Sequence, residues 1–349
     1  MTPAITAIRE ALTAGNAFPF QYDVPTGQVA FVTLAPETLN GAAFLDQRML
    51  TQTTRSSAVS IEDFEAAASE LPPQSPKIIF HQGHCGSTLL SRLIATASST
   101  LALREPLVLR ALATLFADVS LGDSVVSPLA AERRLTLFLR SFASGRAPAV
   151  VKASSICTDL ALPLLAGNSD FRAIFMCLQP EAFIATTLAG PNNRVDMAAF
   201  AGIRRKRLRR HGVETPSLFS LSEGQLAALV WASEAVSFAA APDQGRYMPL
   251  DFDRFLQAPE SLLQIAGAHL GMPISEETAR QVVSGPEMKR YSKAPQFEYS
   301  PGLRAQVLNE ARRDHATEIR AGLNWLSDLA ARSGAVSSAL SRVSALRSA

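Results

Sequence analysis

Residues 77–93 read KIIFHQGHCGSTLLSRL. A short apolar run rich in β-branched residues (77–80) leads into Gly83 and Gly86, and then Leu89, Leu90, Leu93 and Ile94 recur at helical spacing. That order predicts a buried strand, a glycine-containing turn and an amphipathic helix. Glycine lets the backbone curl so that successive N–H groups point inward. The helix is expected to start at Ser87 or Thr88, which adds unspent N–H groups and the positive end of the helix dipole. The hydroxyls of Ser87 and Thr88 supply further donors. Gly83, His84, Cys85, Gly86, Ser87 and Thr88 therefore predict an anion cradle. The plainer alternative is a strand–helix turn in which a hydroxyl merely caps the helix.

Outward from this segment, apolar runs at 149–151, 173–178 and 247–250 predict buried strands, with 101–104 as a shorter candidate. Helical stretches separate them at 130–142, 180–188, 222–240 and 258–270, and a last long helix is expected over about 303–331. Strands alternating with helices predict an α/β fold, a P-loop-like central parallel sheet flanked by helices. LPPQSP at 71–76 stops either neighbour from continuing through it. It divides a domain at 77–332 from an N-terminal extension at 1–70, with a strand at 29–34 and a helix at 61–70. The Ser/Ala-rich stretch 333–349 is expected to be a flexible tail.

The chain has 349 residues, 47% of them apolar, and a formal net charge of +2, so a sizeable core is expected and the chain as a whole is no polyanion binder. Nucleic acid is not an expected partner. Cys85, Cys157 and Cys177 show neither metal-ligand spacing nor an even framework, and only His81 and His84 lie close together, so no metal site is expected. Residues 1–25 lack a basic segment followed by an apolar run, and no apolar stretch is long enough for a membrane span. The expected location is the cytoplasm.

A Walker-type loop would place Lys where Gly86 stands, and the strand at 173–178 ends in Gln179 rather than a Mg²⁺-binding Asp. A loop without these parts suits transfer of a group other than phosphoryl.

Several segments, in order, resemble the sulfotransferase family that uses 3′-phosphoadenosine 5′-phosphosulfate (PAPS), especially its bacterial members. GHCGSTLLSRL is similar to the family's 5′-phosphosulfate loop. Arg104-Glu105-Pro106 with Leu109-Arg110 resembles the segment after its second strand, and Val150-Val151-Lys152 its third-strand lysine segment. Leu178-Gln179-Pro180 with Thr187 resembles its 3′-phosphate strand and helix. Leu250-Asp251-Phe252, Pro259 and Leu270-Gly271 follow in family order, as do Arg290-Tyr291-Ser292-Lys293 and Gly322-Leu323-Asn324-Trp325-Leu326. The resemblance spans about residues 77–330.

It implies PAPS as sulfate donor, no metal, and a hydroxyl or amine acceptor on a small molecule, carbohydrate, lipid or peptide. It implies Lys152 as the cation on the transferring group, with His84 at the loop, and Glu105 as the base. It places Gln179, Thr187, Arg290 and Lys293 around the 3′-phosphate. The family normally carries Arg or Lys at His84, Arg at Gln179 and often His at Ser154. Glu105 fits equally well as a salt-bridge partner of Arg104 or Arg110. The basic run 204–210 (RRKRLRR) reads as a solvated helix face, or else as a source of positive charge for the phosphate or an anionic acceptor. Trp231 reads as core, or as a platform for adenine. Three functions fit these residues: an active sulfotransferase, a catalytically silent nucleotide- or anion-binding relative, and a kinase-like phosphotransferase.

Overall fold

A computed structural model describes residues 2–74, 76–145, 148–242, 245–291, 296 and 298–346. The chain opens with α1 (Pro3–Thr13), β1 (Phe18–Asp23), β2 (Gln28–Val32), α2 (Pro36–Gly41), β3 (Ser56–Ser60) and α3 (Ile61–Ser69). It continues with β4 (Lys77–His81), α4 (Ser87–Ser98), β5 (Leu101–Arg104), α5 (Leu107–Leu121), α6 (Pro128–Ala143) and β6 (Ala149–Lys152). A 3₁₀ turn (Ser155–Leu160) then leads to α7 (Ala161–Gly167), β7 (Ala173–Cys177), α8 (Pro180–Ala189), α9 (Pro191–Ala199), α10 (Ala201–Arg210) and α11 (Glu223–Ala239). Last come β8 (Tyr247–Asp251), α12 (Phe252–Gln257), α13 (Pro259–His269), α14 (Glu276–Ser284), α15 (Pro301–Asp314), α16 (Ala316–Arg332) and α17 (Gly334–Ala345).

Strands β4 to β8 form one parallel sheet in the order β5-β6-β4-β7-β8. The strands are almost wholly buried apolar runs, as a sheet covered on both faces requires. From β4 the chain leaves through α4 towards β5 at one edge, whereas from its neighbour β7 it leaves towards β8 at the other. The crevice beyond the carboxyl ends of two such strands is where open α/β sheets bind ligands. The segment that follows β4 is the glycine turn.

The expected strand at 29–34 is β2, but it is the middle strand of an antiparallel sheet, β1-β2-β3. Residues 1–70 share their core with α6, where Phe18 stacks on Phe142 and Phe64 on Phe138 with ring centroids 5.2 and 4.3 Å apart. They also cover the β5 edge. Leu45 N–H donates to the Arg104 carbonyl (2.7 Å), Leu107 N–H to the Leu45 carbonyl (3.1 Å), and the Arg104 guanidinium to the carbonyls of Ala42 and Asn40. Burial pulls the Arg104 pKa down to about 10.

Two expectations about the C-terminal region are corrected. The helix expected over 303–331 is two helices, α15 and α16, broken at His315. Residues 334–345 are not a flexible tail but α17, which buries Val336, Ala339 and Val343. Its small residues permit close packing on α11, so a composition that reads as low complexity is an interface. Helix α11 is the hub of this half. Gly224 and Gly322 let it cross α16 closely, since a Cβ on Gly224 would lie 1.8 Å from the Glu318 carbonyl oxygen. Trp231 is core, and its Nε1–H donates to the Leu178 carbonyl at 3.0 Å.

The basic run 204–210 is also corrected. It lies on α10, but Arg204 and Arg207 are buried rather than solvated. Glu234 of α11 is ion-paired with Arg204 (3.4 Å) and Arg207 (2.8 Å), and Asp159 with Arg207 (3.2 Å) and Arg210 (3.4 Å). Burial would raise the Asp159 carboxyl, but the Arg207 charge and the neighbouring donors outweigh it and hold it well below the carboxylate range. The run is structural because each buried charge has an opposite one beside it. All three cysteines are buried and unpaired with one another, and burial pushes the Cys157 thiol up to about 12.

Removing one member of such a network strands its partner charge, so Arg207→Ala is expected to cost about 3–5 kcal/mol in urea unfolding. The Asp159 pKa is depressed in the fold, so its contribution is complete above the ordinary carboxylate value of about 4 and is lost as pH falls below it. Asp159→Asn is therefore expected to flatten stability against pH on the acid side of about 4.

Candidate functional site

The turn after β4 is built by three left-handed residues, Gly83 (φ +99), His84 (φ +52) and Gly86 (φ +69). Gly83 and Gly86 accept this conformation at no steric cost, whereas His84 carries strain there. The loop is fastened to the end of β7. Gln82 N–H donates to the Met176 carbonyl (3.1 Å), Leu178 N–H to Gln82 Oε1 (2.9 Å) and the Cys85 thiol to the Met176 carbonyl (3.2 Å). Gly83 N–H donates to His81 Nδ1 (2.9 Å), so that ring nitrogen is an acceptor.

Gly86 is the N-cap of α4 and, having no side chain, makes no capping bond. The first N–H groups of a helix have no partner within it, so those of α4 are not spent on a cap. Gly86 is also required by packing, because a Cβ there would meet the Phe252 ring at 2.0 Å. Thr88 is buried, and its Oγ1 has no hydrogen-bond partner among the described residues. A buried hydroxyl left in that state costs about 1–3 kcal/mol unless a ligand or water satisfies it.

The helix start opens into a cavity of about 400 Å³. His84, Cys85, Gly86, Ser87 and Thr88 form its loop side, whereas Gly83 does not line it. Thr186, Asn193, Phe252, Tyr299 and Arg304 are among the residues that line the rest. Arg304 pairs with Asp253 at 2.8 Å and lies 5.0 Å over the Phe252 ring. Burial pushes the Tyr299 phenol up to about 12, and its hydroxyl has no partner among the described residues. None of these five stood out in the sequence as a site residue. Their positions depend on α8, α12 and α15 converging on the loop, which no local motif announces.

The other expected site residues are elsewhere. Gln179 is the N-cap of α8, and its side-chain amide donates to Asp251 (3.2 Å) and to the Val343 carbonyl of α17 (3.0 Å) rather than lining the cavity. Thr187 is turned away, its hydroxyl donating to the Phe183 carbonyl (2.9 Å), and Thr186 takes the cavity side instead. Arg290 is exposed and pairs through its backbone with Glu298, outside the lining. Lys293 lies outside the described residues.

Glu105 and Lys152 do come together, across the ends of β5 and β6. Lys152 Nζ donates to Glu105 Oε1, and Ser154 Oγ (3.1 Å) and Arg110 Nη2 (3.1 Å) donate to Glu105 Oε2. Of the two arginines that competed for Glu105 in the sequence, Arg110 is the partner, and Arg104 serves the N-terminal region. Glu105 holds φ +54, the left-handed region that a glutamate adopts only when its surroundings enforce it. Neither Glu105 nor Lys152 lines the cavity at the loop. The two sites are linked by adjacent residues: Ser154 belongs to the Glu105 cluster, while a Cβ on Gly83 would lie 3.9 Å from the side chain of Ser155. Among the described residues no group of three His, Cys, Asp or Glu side chains is placed to hold a metal ion, and no helix is long and apolar enough to cross a membrane.

Sheet order, loop and cavity define an α/β protein with a glycine-turned loop and a cavity at the end of its central strand. No family model matches the chain, and no curated protein matches it in sequence. Among solved structures it is similar to a sulfotransferase domain from the curacin biosynthetic pathway: 15% identity, 71% of this chain and 99% of that one, TM-score 0.42. A sulfotransferase from Alicyclobacillus acidocaldarius is 14% identical over 71% of this chain and 95% of its own, with a TM-score of 0.34. Retinol dehydratase in complex with androsterone and the inactive cofactor PAP is 12% identical over 79% and 88%, with a TM-score of 0.36.

Thr88→Val separates a ligand role from a structural one. Removing an unpartnered buried hydroxyl is expected to leave the melting temperature unchanged or raised. The affinity for inorganic pyrophosphate, read by calorimetry, is expected to fall about tenfold or more, the worth of one hydrogen bond to a charged group.

Proposed function

We propose that the chain is a sulfotransferase-like transferase that takes a sulfuryl group from PAPS. One observation carries this: the α4 start, without a side-chain cap and with the buried Thr88 hydroxyl lacking a partner among the described residues, opens into a cavity large enough for a small ligand. That chemistry suits an anionic oxygen cluster of a nucleotide. The position of a Walker lysine is Gly86, where a Cβ would enter the Phe252 ring, so the loop suits a donor other than a metal–ATP complex.

In the proposed reaction the acceptor oxygen bonds to sulfur, and the bond from sulfur to the bridging phosphate oxygen breaks. The electron pair stays on the phosphate, and the acceptor proton passes to a carboxylate. Ser87 and Thr88, with the first N–H groups of α4, hold the phosphosulfate. Glu105 is the candidate carboxylate, and Lys152 the cation beside it. A second reading is a silent nucleotide-binding relative. It is favoured by the closed Glu105–Lys152 pair, which occupies both groups and stands outside the cavity lining.

Calorimetric titration with 3′-phosphoadenosine 5′-phosphate (PAP), followed by transfer assays with ³⁵S-labelled PAPS and 2-naphthol, decides between them. Micromolar binding of PAP, with label transfer lost in Glu105→Gln while PAP binding survives, is the result expected of a transferase. Binding without transfer to any acceptor identifies the silent relative. Absence of PAP binding at millimolar concentration overturns the transferase and leaves the silent relative, which then binds another anion.

A further inference from the structure

The N-terminal region does more than cover the β5 edge, because it also brackets Glu105. Leu45 N–H donates to the carbonyl of Arg104, the residue before Glu105, and the Leu45 carbonyl accepts from Leu107, two residues after it, at 2.7 and 3.1 Å. On the other side, Glu105 N–H donates to the Lys152 carbonyl (2.6 Å). The backbone around Glu105 is thus tied by β6 on one flank and by Leu45 on the other. A glutamate held at φ +54 needs surroundings of this kind.

The residue after Leu45 brings a charge to the same place. Asp46 is buried and caps a 3₁₀ turn, Gln47–Met49. Its carboxylate accepts from Arg48 N–H (3.1 Å) and Arg48 Nε (2.8 Å). It also lies 3.9 Å from Arg110 Nη2, the nitrogen that donates to Glu105 Oε2 at 3.1 Å. One guanidinium nitrogen therefore stands between two carboxylates. Burial would raise the Asp46 carboxyl, but the Arg48 hydrogen bonds and the charges of Arg48 and Arg110 outweigh it and hold it below the usual carboxylate value. Asp46 is therefore an anion at neutral pH. Arg48 is largely exposed and stacks 3.6 Å over the Phe44 ring. Its hydrogen bonds to Asp46 raise its pKa, and the charges of Asp46, Glu105 and Asp196 of α9 add to them. Glu105 is thus faced by Lys152 from β6, by Arg110 from α5 and by Asp46 and Arg48 from the N-terminal region. It is also faced by Cys157 from the 3₁₀ turn, whose thiol is pushed up to about 12 and stays neutral.

We propose that Asp46 is a positioning residue for Glu105: it takes a share of Arg110 and so keeps the Glu105 carboxylate able to accept a proton. The inference rests on the transferase reading, in which Glu105 takes the acceptor proton, and it gives the N-terminal region a part in that step. Two carboxylates that compete for one cation raise each other's proton affinity. Arg48 sets the balance, since whatever it supplies to Asp46 leaves more of Arg110 for Glu105. Leu45 fixes the backbone of Glu105, and Asp46 tunes its charge.

The test follows label transfer from ³⁵S-labelled PAPS to 2-naphthol by the full chain as a function of pH, with PAP affinity measured by calorimetry. Asparagine has the shape of aspartate and keeps an acceptor for Arg48 N–H, so Asp46→Asn is expected to bind PAP within about twofold of wild type. The acid limb of its kcat profile is expected to move to lower pH by about half a unit or more, and the plateau to fall about twofold or more, as a weaker base requires. Arg48→Gln, at an exposed position, is expected to move the limb the opposite way, because Asp46 then draws more on Arg110. A purely structural role would change the melting temperature and leave both limbs in place. If Asp46→Asn does not fold, Arg48→Gln alone decides. The proposal is overturned if the folded variants keep the wild-type profile, or if Asp46→Asn moves the limb upward. If the wild-type chain transfers no label, the transferase reading fails and the proposal falls with it. If it transfers label and the profiles do not move, the proposal alone fails.

Discussion

A single missing side chain sets the geometry on which the rest of this site depends. Gly86 holds φ +69 beneath the Phe252 ring, at a distance where a Cβ would lie inside the ring. That contact lets α12, which follows the last strand of the sheet, close over the helix that follows the central one. It brings the α4 start to the cavity wall without a capping side chain in the way. The same contact leaves no room for the lysine of a nucleotide triphosphatase loop. Packing and chemistry are thus decided at one position, and the loop's donors are its backbone and two hydroxyls.

The polar groups of the molecule divide into three sets with different duties. The Arg204–Glu234–Arg207–Asp159 network is closed and buried and holds α10, α11 and the 3₁₀ turn together. The α4 start has no side-chain cap, and the Thr88 hydroxyl has no partner among the described residues. Between them sits Glu105, strained at φ +54 and held by donors from the end of β6 and from α5. Strain of this kind persists only where the surroundings over-determine it, and here it sits at the carboxyl end of a parallel strand. Arg204 also donates to Ser155 Oγ at 3.3 Å, so the structural network reaches the turn beside Gly83.

Much of the parallel sheet was legible in the sequence because its strands are fully buried, and uninterrupted apolar runs announce themselves. The glycine turn was legible because its conformation demands particular residues. What was hidden depends on tertiary contact. The α17 stripe uses alanine and valine too sparsely to stand out, and the sense of the basic run is set by Glu234 and Asp159, distant in sequence. Thr186 and Thr187 are adjacent and chemically alike, and only the rotation of α8 decides which one faces the cavity. Arg304 reaches the site from the first turn of α15, beside Asp253 of α12, a contact that leaves no mark in the hydrophobic pattern.

The three sequestered thiols have a consequence for how the chain withstands its surroundings. Cys157 and Cys177 are both pushed towards the protonated form by burial, and Cys85 spends its hydrogen on a strand carbonyl. Thiolate, the form that oxidants and electrophiles attack, is therefore scarce at Cys157 and Cys177, and all three cysteines are buried. The cysteine inside the loop serves as a fastening to the β7 carbonyl, so the loop and the sheet are tied by a thiol that a bulkier side chain could not replace.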